Sequence, residues 1–194
     1  MKRFTKWIVI AAVALSIVVS TAGCTSNTAN PSPYVAQNMA KYDSGNFTIN
    51  YPSTWNYTKA TGNPSRDEFY AYPGVKTEYP EHDKDVYVRV YSFLVNETLS
   101  SFTANRVSTY TDLGDVKQIE DGNATLAGNP ASKIVWKYIG GVNQGARKAM
   151  EIWTVKEGRI YWITYNTMND YKDFRPYDIY ADNTQKMIDS FKIK

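Results

Sequence analysis

The chain has 194 residues, of which 43% are hydrophobic, with 22 basic and 19 acidic side chains, one histidine and one cysteine. Lys2, Arg3 and Lys6 are the only charged residues before position 24, so the remaining 19 bases face 19 acids and that part has no net charge. This balance predicts no nucleic-acid or anionic-lipid partner, and a lone cysteine excludes an internal disulfide.

The first segment, MKRFTKWIVIAAVALSIVVSTAGC, is built as a secretion signal. A basic start is followed by an apolar run from Trp7 to Val19, broken only by Ser16, and then by small residues up to Cys24. As a helix, Trp7 to Gly23 reaches about 25 Å, short of the roughly 30 Å hydrocarbon core. Thr21-Ala22-Gly23-Cys24 resembles the lipobox of bacterial and archaeal lipoproteins, with Thr21 where Leu is usual. The resemblance implies cleavage after residue 23, lipid on Cys24 and a chain held at the extracytoplasmic face of the cell membrane. Residues 24–41 are rich in Ser, Thr, Asn and Pro with little to bury, and read as a flexible tether. Residues 42–194 read as one domain, long enough to bury roughly 70% of its unfolded surface.

Within that domain Phe47 to Tyr51 alternates apolar and polar before Pro52 and Trp55, the pattern of a strand, and Glu68 to Tyr72 forms a weaker one. Val86 to Val95 is a strong strand. Val86, Val88, Val90 and Leu94 share one face, and Tyr87, Arg89, Tyr91 and Phe93 the other. The spacing then turns helical over Thr98 to Leu113, with Leu99, Phe102, Val107, Tyr110 and Leu113 on one side, Thr98 as N-cap and Gly114 just past the end. Asp121-Gly122-Asn123 reads as a hairpin turn between strands Val116–Glu120 and Ala124–Leu126. Three more strands, Ala131–Ile139, Arg147–Val155 and Ile160–Thr167, are separated by Gly140-Gly141 and Glu157-Gly158. Tyr177, Tyr180, Thr184, Met187 and Phe191 mark a closing amphipathic helix. Consecutive strands between two helices predict an α+β fold, a mainly antiparallel sheet with two packed helices. The 16 Tyr, five Trp and seven Phe suit pleated, half-buried surfaces of such a sheet.

Four motifs occur in an order that resembles the PsbP-like (Mog1/PsbP-like) domains. They are Phe47-Thr48-Ile49-Asn50-Tyr51-Pro52-Ser53-Thr54-Trp55, the turn Leu126 to Ala131, the strand Gly158 to Tyr165, and Met187-Ile188-Asp189-Ser190-Phe191-Lys192-Ile193. The resemblance covers residues 42–194 and implies an α/β/α sandwich. It carries no catalytic residue over, since the matched positions are apolar, aromatic or turn residues. Family members include an extrinsic photosystem subunit, a Ran-binding protein and surface lipoproteins. The lipobox and tether resemble the prokaryotic lipoprotein branch, including PsbP-related proteins of methanogenic archaea.

Chemistry is sparse. One histidine and one cysteine cannot build a His/Cys zinc site or a Cys–His nucleophile, and there is no P-loop and no G-x-G-x-x-G. Glu81, His82, Asp83 and Asp85 form the one cluster with ligating chemistry, for Mn²⁺ or Ca²⁺. Lys84 interrupts it, and a solvated loop is the preferred reading, so no metal and no cofactor are expected. N-x-Thr sequons, candidates for glycosylation on an exported chain, stand at Asn46, Asn56, Asn96 and Asn123. The expected function is a non-enzymatic binding or accessory module that docks a membrane or envelope component through an aromatic face. The alternative is a solute- or metal-binding lipoprotein that assists uptake.

Overall fold

The structure, a computed structural model, describes residues 36, 38–59, 66–73, 86–113, 116–138, 147–167 and 175–194. Among the described residues ten strands and two helices follow in the order β1 (Met39–Asp43), β2 (Phe47–Pro52), β3 (Trp55–Lys59), β4 (Arg66–Pro73), β5 (Val86–Leu94), α1 (Leu99–Thr111), β6 (Val116–Leu126), β7 (Asn129–Tyr138), β8 (Arg147–Lys156), β9 (Arg159–Thr167), α2 (Arg175–Ser190) and β10 (Lys192–Ile193). They form a seven-stranded sheet of order β3-β4-β5-β9-β8-β7-β6 and a three-stranded sheet of order β1-β2-β10, with every pairing antiparallel. The predicted antiparallel α+β fold is what the chain adopts.

The large sheet buries side chains on both faces, so successive residues of its central strands enter different clusters. Val135, Ile152, Tyr161 and Ile163 join Val86, Val88 and Val90 in the larger core with Tyr177, Tyr180, Met187 and Ile188 of α2 and with Phe47 and Ile49 of the small sheet. Their chain neighbours Ile134, Trp153 and Ile160 enter the smaller core with Tyr110, Leu99, Phe102 and Val107 of α1. Trp55 is 6% exposed, as its place after the Tyr51-Pro52 turn predicts, and meets Tyr180 edge-on with 5.7 Å between ring centres.

Two tight turns fix the register of the sheet. Ala127-Gly128 closes β6 onto β7 with φ of 51° and 76°, and Glu157-Gly158 closes β8 onto β9 with φ of 53° and 71°. Positive φ at both central positions is what a type I′ turn requires, and its twist matches that of the flanking strands.

Three expectations change, and one strand, β10, has no counterpart among them. Asp121-Gly122-Asn123 is no turn: these residues pair with Ile134, Lys133 and Ser132 inside the continuous strand β6. The hairpin closes instead at Ala127-Gly128, which leaves each of the three with a cross-strand partner. Leu94 is 67% exposed although it lies on the terminal stretch of a buried strand, and Leu113 is also exposed beyond the end of α1. The domain begins before residue 42, because Met39, Ala40 and Lys41 pair with Pro52, Tyr51 and Asn50 in β1. Backbone pairing and the partial burial of Met39 and Ala40 hold this stretch, which composition alone reads as tether. Finally β10, too short to carry a period, pairs with β2 through Lys192 and Ile193. Gly114 and the Gly140-Gly141 pair lie outside the described residues.

Candidate functional site

The face of the large sheet that meets α1 carries the polar chemistry of the described domain. Register places Tyr70, Arg89, Thr164, Glu151 and Ile134 in one row across β4, β5, β9, β8 and β7. The neighbouring row holds Glu68, Tyr91, Trp162, Trp153 and Ser132. One helix cannot cover so wide a surface. α1 packs over Ile134, Trp136, Trp153, Ile160 and Trp162, with Phe93 of β5 in the same cluster, and leaves Tyr70, Tyr72, Tyr87 and Arg89 only half-buried.

Beneath α1 lies a charged cluster around Glu151, which is 2% exposed. Arg106 of α1 donates to both of its oxygens, Nε to Oε2 and Nη2 to Oε1, each at 2.9 Å. The indole N–H groups of Trp136 and Trp162 donate to Oε1 at 3.2 Å and Oε2 at 3.1 Å. The Tyr110 hydroxyl donates to Oε1 and accepts from Arg106. The Arg106 guanidinium also lies over the rings of Trp162 and Tyr110, 4.4 and 4.6 Å from their centres. Burial, then the adjacent Glu151 carboxylate, pushes the Tyr110 phenol far above its usual range. A carboxylate whose lone pairs are taken by five donors has none left for a substrate, so this cluster acts as a clasp on α1. Thr98 caps the same helix, its hydroxyl accepting from Ser101 N–H at 3.2 Å.

Beside the clasp, on the part α1 leaves open, Arg89 is ringed by tyrosines. Its guanidinium lies 5.1 Å from the centre of Tyr70, 5.2 Å from Tyr87 and 5.6 Å from Tyr91. Nη1 donates to the Tyr91 hydroxyl at 2.7 Å. Nε stands 3.3 Å from Glu68 Oε1, within ion-pair range but without hydrogen-bond alignment. Tyr70 stacks on Tyr87 at 5.1 Å and touches Tyr72 at 5.4 Å. Burial raises the Tyr70 and Tyr87 phenols, so both rings are neutral at physiological pH. The result is a half-buried surface of Tyr70, Tyr72 and Tyr87 around one guanidinium, with Tyr91 buried beside it.

On the opposite face a groove of about 370 Å³ opens between α2 and the β6–β7 turn. Met150, Ile152 and Ile188 form its floor, with Lys133, Gln185 and Asp189 at its rim. Asp189 is its one carboxylate and accepts from Gln185 at 2.8 Å. A lone acid does not make an acid/base pair.

The metal-ligand candidates Glu81, His82, Asp83 and Asp85, and Cys24, lie outside the described residues. Among the described residues no group of three or more His, Cys, Asp or Glu side chains could hold a metal ion, and no helix is long and apolar enough to cross a membrane. Of the sequons, Asn56, Asn96 and Asn123 are exposed, whereas the Asn46 amide donates to Asp67. Glu151 and Arg106 had signals that sequence reading passed over. Glu151 is a lone acid among the inward positions Ala149 and Trp153, and Arg106 stands four residues from both Phe102 and Tyr110 on the helix face that meets the sheet.

No protein-family model matches the chain, and no curated protein matches it significantly. Solved structures do. A cyanobacterial PsbP (CyanoP) from Synechocystis superposes with a TM-score of 0.56 at 15% identity, covering 80% of this chain and 92% of its own. LpqN of Mycobacterium tuberculosis, involved in cell envelope biogenesis, gives 0.53 at 14% identity over 81% and 91% of the two chains. The Ran-binding protein Mog1p of Saccharomyces cerevisiae gives 0.53 at 11% identity over 80% and 95%. With the element order and antiparallel sheet described above, these likenesses show that the folded part of the chain has the fold of PsbP and Mog1.

Proposed function

We propose that the chain is an extracytoplasmic lipoprotein, anchored through Cys24, whose α/β/α domain docks a protein of the membrane or envelope and catalyses no reaction. The surface of Tyr70, Tyr72 and Tyr87 around Arg89 carries this reading. Tyr and Arg are the residues enriched at the centres of protein interfaces, because they offer large rigid area together with hydrogen-bonding capacity. LpqN, a structural neighbour tied to the cell envelope, supports the setting. Solute capture for uptake would use the groove beside α2 instead, and its apolar floor with one ammonium and one carboxylate at the rim favours a small amphipathic molecule there.

Site-specific photo-crosslinking in cells tests the docking reading. Tyr87→p-benzoylphenylalanine should give a discrete crosslinked species in the membrane fraction, and the same probe at Asn123 on the exposed edge of β6 should not. Cys24→Ser should move the chain out of the membrane fraction or leave the precursor uncut. Equal crosslinking from both positions, or unchanged processing and retention of Cys24→Ser, would sink the corresponding half of the reading.

A further inference from the structure

Among the described residues the pairing order leaves the large sheet with two open edges, β3 and β6. An edge strand presents unpaired N–H and C=O groups, a template for pairing with another chain unless something blunts it. β6 is the longer edge, 11 residues against five, and its two halves differ. The first half carries Lys117, Glu120 and Asp121, and a bulge between Gln118 and Glu120 breaks its register. From Gly122 to Leu126 there is no charge, no proline and no irregularity, and each residue pairs in turn with Lys133 back to Asn129. Gly122, which opens this half, has empty space where a Cβ would stand. The half of the edge without protection is the half that holds the sequon Asn123-Ala124-Thr125.

The four sequons are not equivalent in the folded chain. The Asn46 amide is held by Asp67 and Thr48 is buried. Asn56 stands opposite Tyr72, beside the surface assigned to docking, and Thr98, which completes the Asn96 sequon, caps α1. Asn123 and Thr125 are both exposed, and neither side chain has a hydrogen-bond partner among the described residues. Across the ladder Asn123 meets Ser132, whose hydroxyl accepts from Thr103 of α1 at 2.9 Å, so Asn123 stands at the rim of the sheet just outside the helix. We infer that Asn123 carries an N-linked glycan, which closes the unprotected half of the β6 edge against a second copy of this chain. In the transfer Asn123 Nδ2 bonds to the anomeric carbon of an oligosaccharide carried on a polyprenyl phosphate or pyrophosphate. The bond from that carbon to the phosphate oxygen breaks, the lipid phosphate leaves, and the amide proton passes to a base of the transferase. A glycan is bulky and hydrated, and an incoming strand would have to lie about 4.8 Å from β6, in the space the sugar fills. The inference rests on the exported reading of the proposed function, because lipid-linked sugars are transferred on the extracytoplasmic side of a membrane.

The test compares the full chain, isolated from its host, with Thr125→Ala and Thr125→Ser variants made in the same host. Thr125 is exposed opposite Pro130, so both changes leave the core untouched. The first removes the sequon and the second keeps it as N-x-Ser, with Asn123 in place in both. Peptide mass analysis should find the Asn123 peptide heavier by whole saccharide residues in the parent and in Thr125→Ser, and that increment lost in Thr125→Ala. At equal concentration in detergent the parent and Thr125→Ser should sediment as monomers. Thr125→Ala should shift to larger species, with the amides of Gly122 to Leu126 gaining protection from hydrogen exchange as it associates. An unmodified Asn123 in the parent would overturn the inference, as would a Thr125→Ala chain that stays monomeric, because the edge then needs no cover. The mass of the Cys24 peptide in the same sample reads lipidation independently. A glycosylated chain without lipid therefore sinks the anchor and keeps the glycan, and a lipidated chain with bare Asn123 does the reverse.

Discussion

Glu151 occupies a position that an apolar side chain would fill more cheaply, since desolvating a carboxylate costs several kcal/mol before any partner repays it. Five donors repay it here: two from Arg106, two indole N–H groups and the Tyr110 hydroxyl. Removing the cation leaves a buried, uncompensated charge. Arg106→Ala should therefore destabilise by about 3–5 kcal/mol, seen as a lower urea midpoint with α1 amides exchanging early. A buried ion pair can often be exchanged for apolar residues, but not in this setting. Arg106→Met with Glu151→Leu leaves Tyr110, Trp136 and Trp162 without their acceptor, each at about 1–3 kcal/mol. The double variant should stay well below the parent, and full recovery would show that the clasp is only packing.

At the scale of the element, β6 and β7 show where a hairpin keeps its information. Ala127 takes a φ of 51°, which an L-residue with a Cβ adopts at a cost of roughly 1–2 kcal/mol. Asn tolerates that region and precedes Gly in the preferred I′ pair. Ala127→Asn should raise the urea midpoint by the equivalent of about 0.5–1 kcal/mol. A loss of stability would mean that the partly buried Ala127 methyl contributes more than the strain costs. α1 has a different support: its face against the sheet is thin, with Tyr110 its one buried residue, so the Thr98 cap and the Glu151 clasp hold what apolar burial alone does not.

For the whole molecule, the tyrosines couple the fold to alkaline pH. Burial holds the Tyr110, Tyr165 and Tyr177 phenols above their ordinary value near 10, and adjacent acidic groups add to it. A pKa raised in the folded state means that the unfolded chain releases its phenolic protons first. The stabilisation is complete below about pH 10 and is lost as pH climbs above it toward the folded values. The urea midpoint should stay level to about pH 9 and then fall. Phenolate absorbance from these three residues should appear only with unfolding. A level midpoint at pH 11 would show that the rings are open to solvent.

The alternation of Val86 to Val95, the three- and four-residue steps of Tyr177 to Phe191 and the Pro52–Trp55 corner are local patterns, and they specify strand, helix and turn because backbone geometry has only those periods. The two helices and the antiparallel class followed from the sequence for that reason. The choice between Asp121-Gly122-Asn123 and Ala127-Gly128 as the hairpin turn did not, since both carry turn chemistry and only the pairing of β6 along β7 selects one. The burial of Met39 and Ala40 in β1 likewise needs β2 alongside. The site residues divide in the same way. Arg89, Tyr87 and Tyr91 were legible as one face of one strand, whereas the clasp joins Arg106 to Glu151 across 45 residues, and Lys117, Lys137 and Lys148 stand opposite one another only through the pairing of three strands. Periodicity is written within a segment, but opposition across a sheet exists only once the register is set, and there the tertiary structure decided where the charge lies.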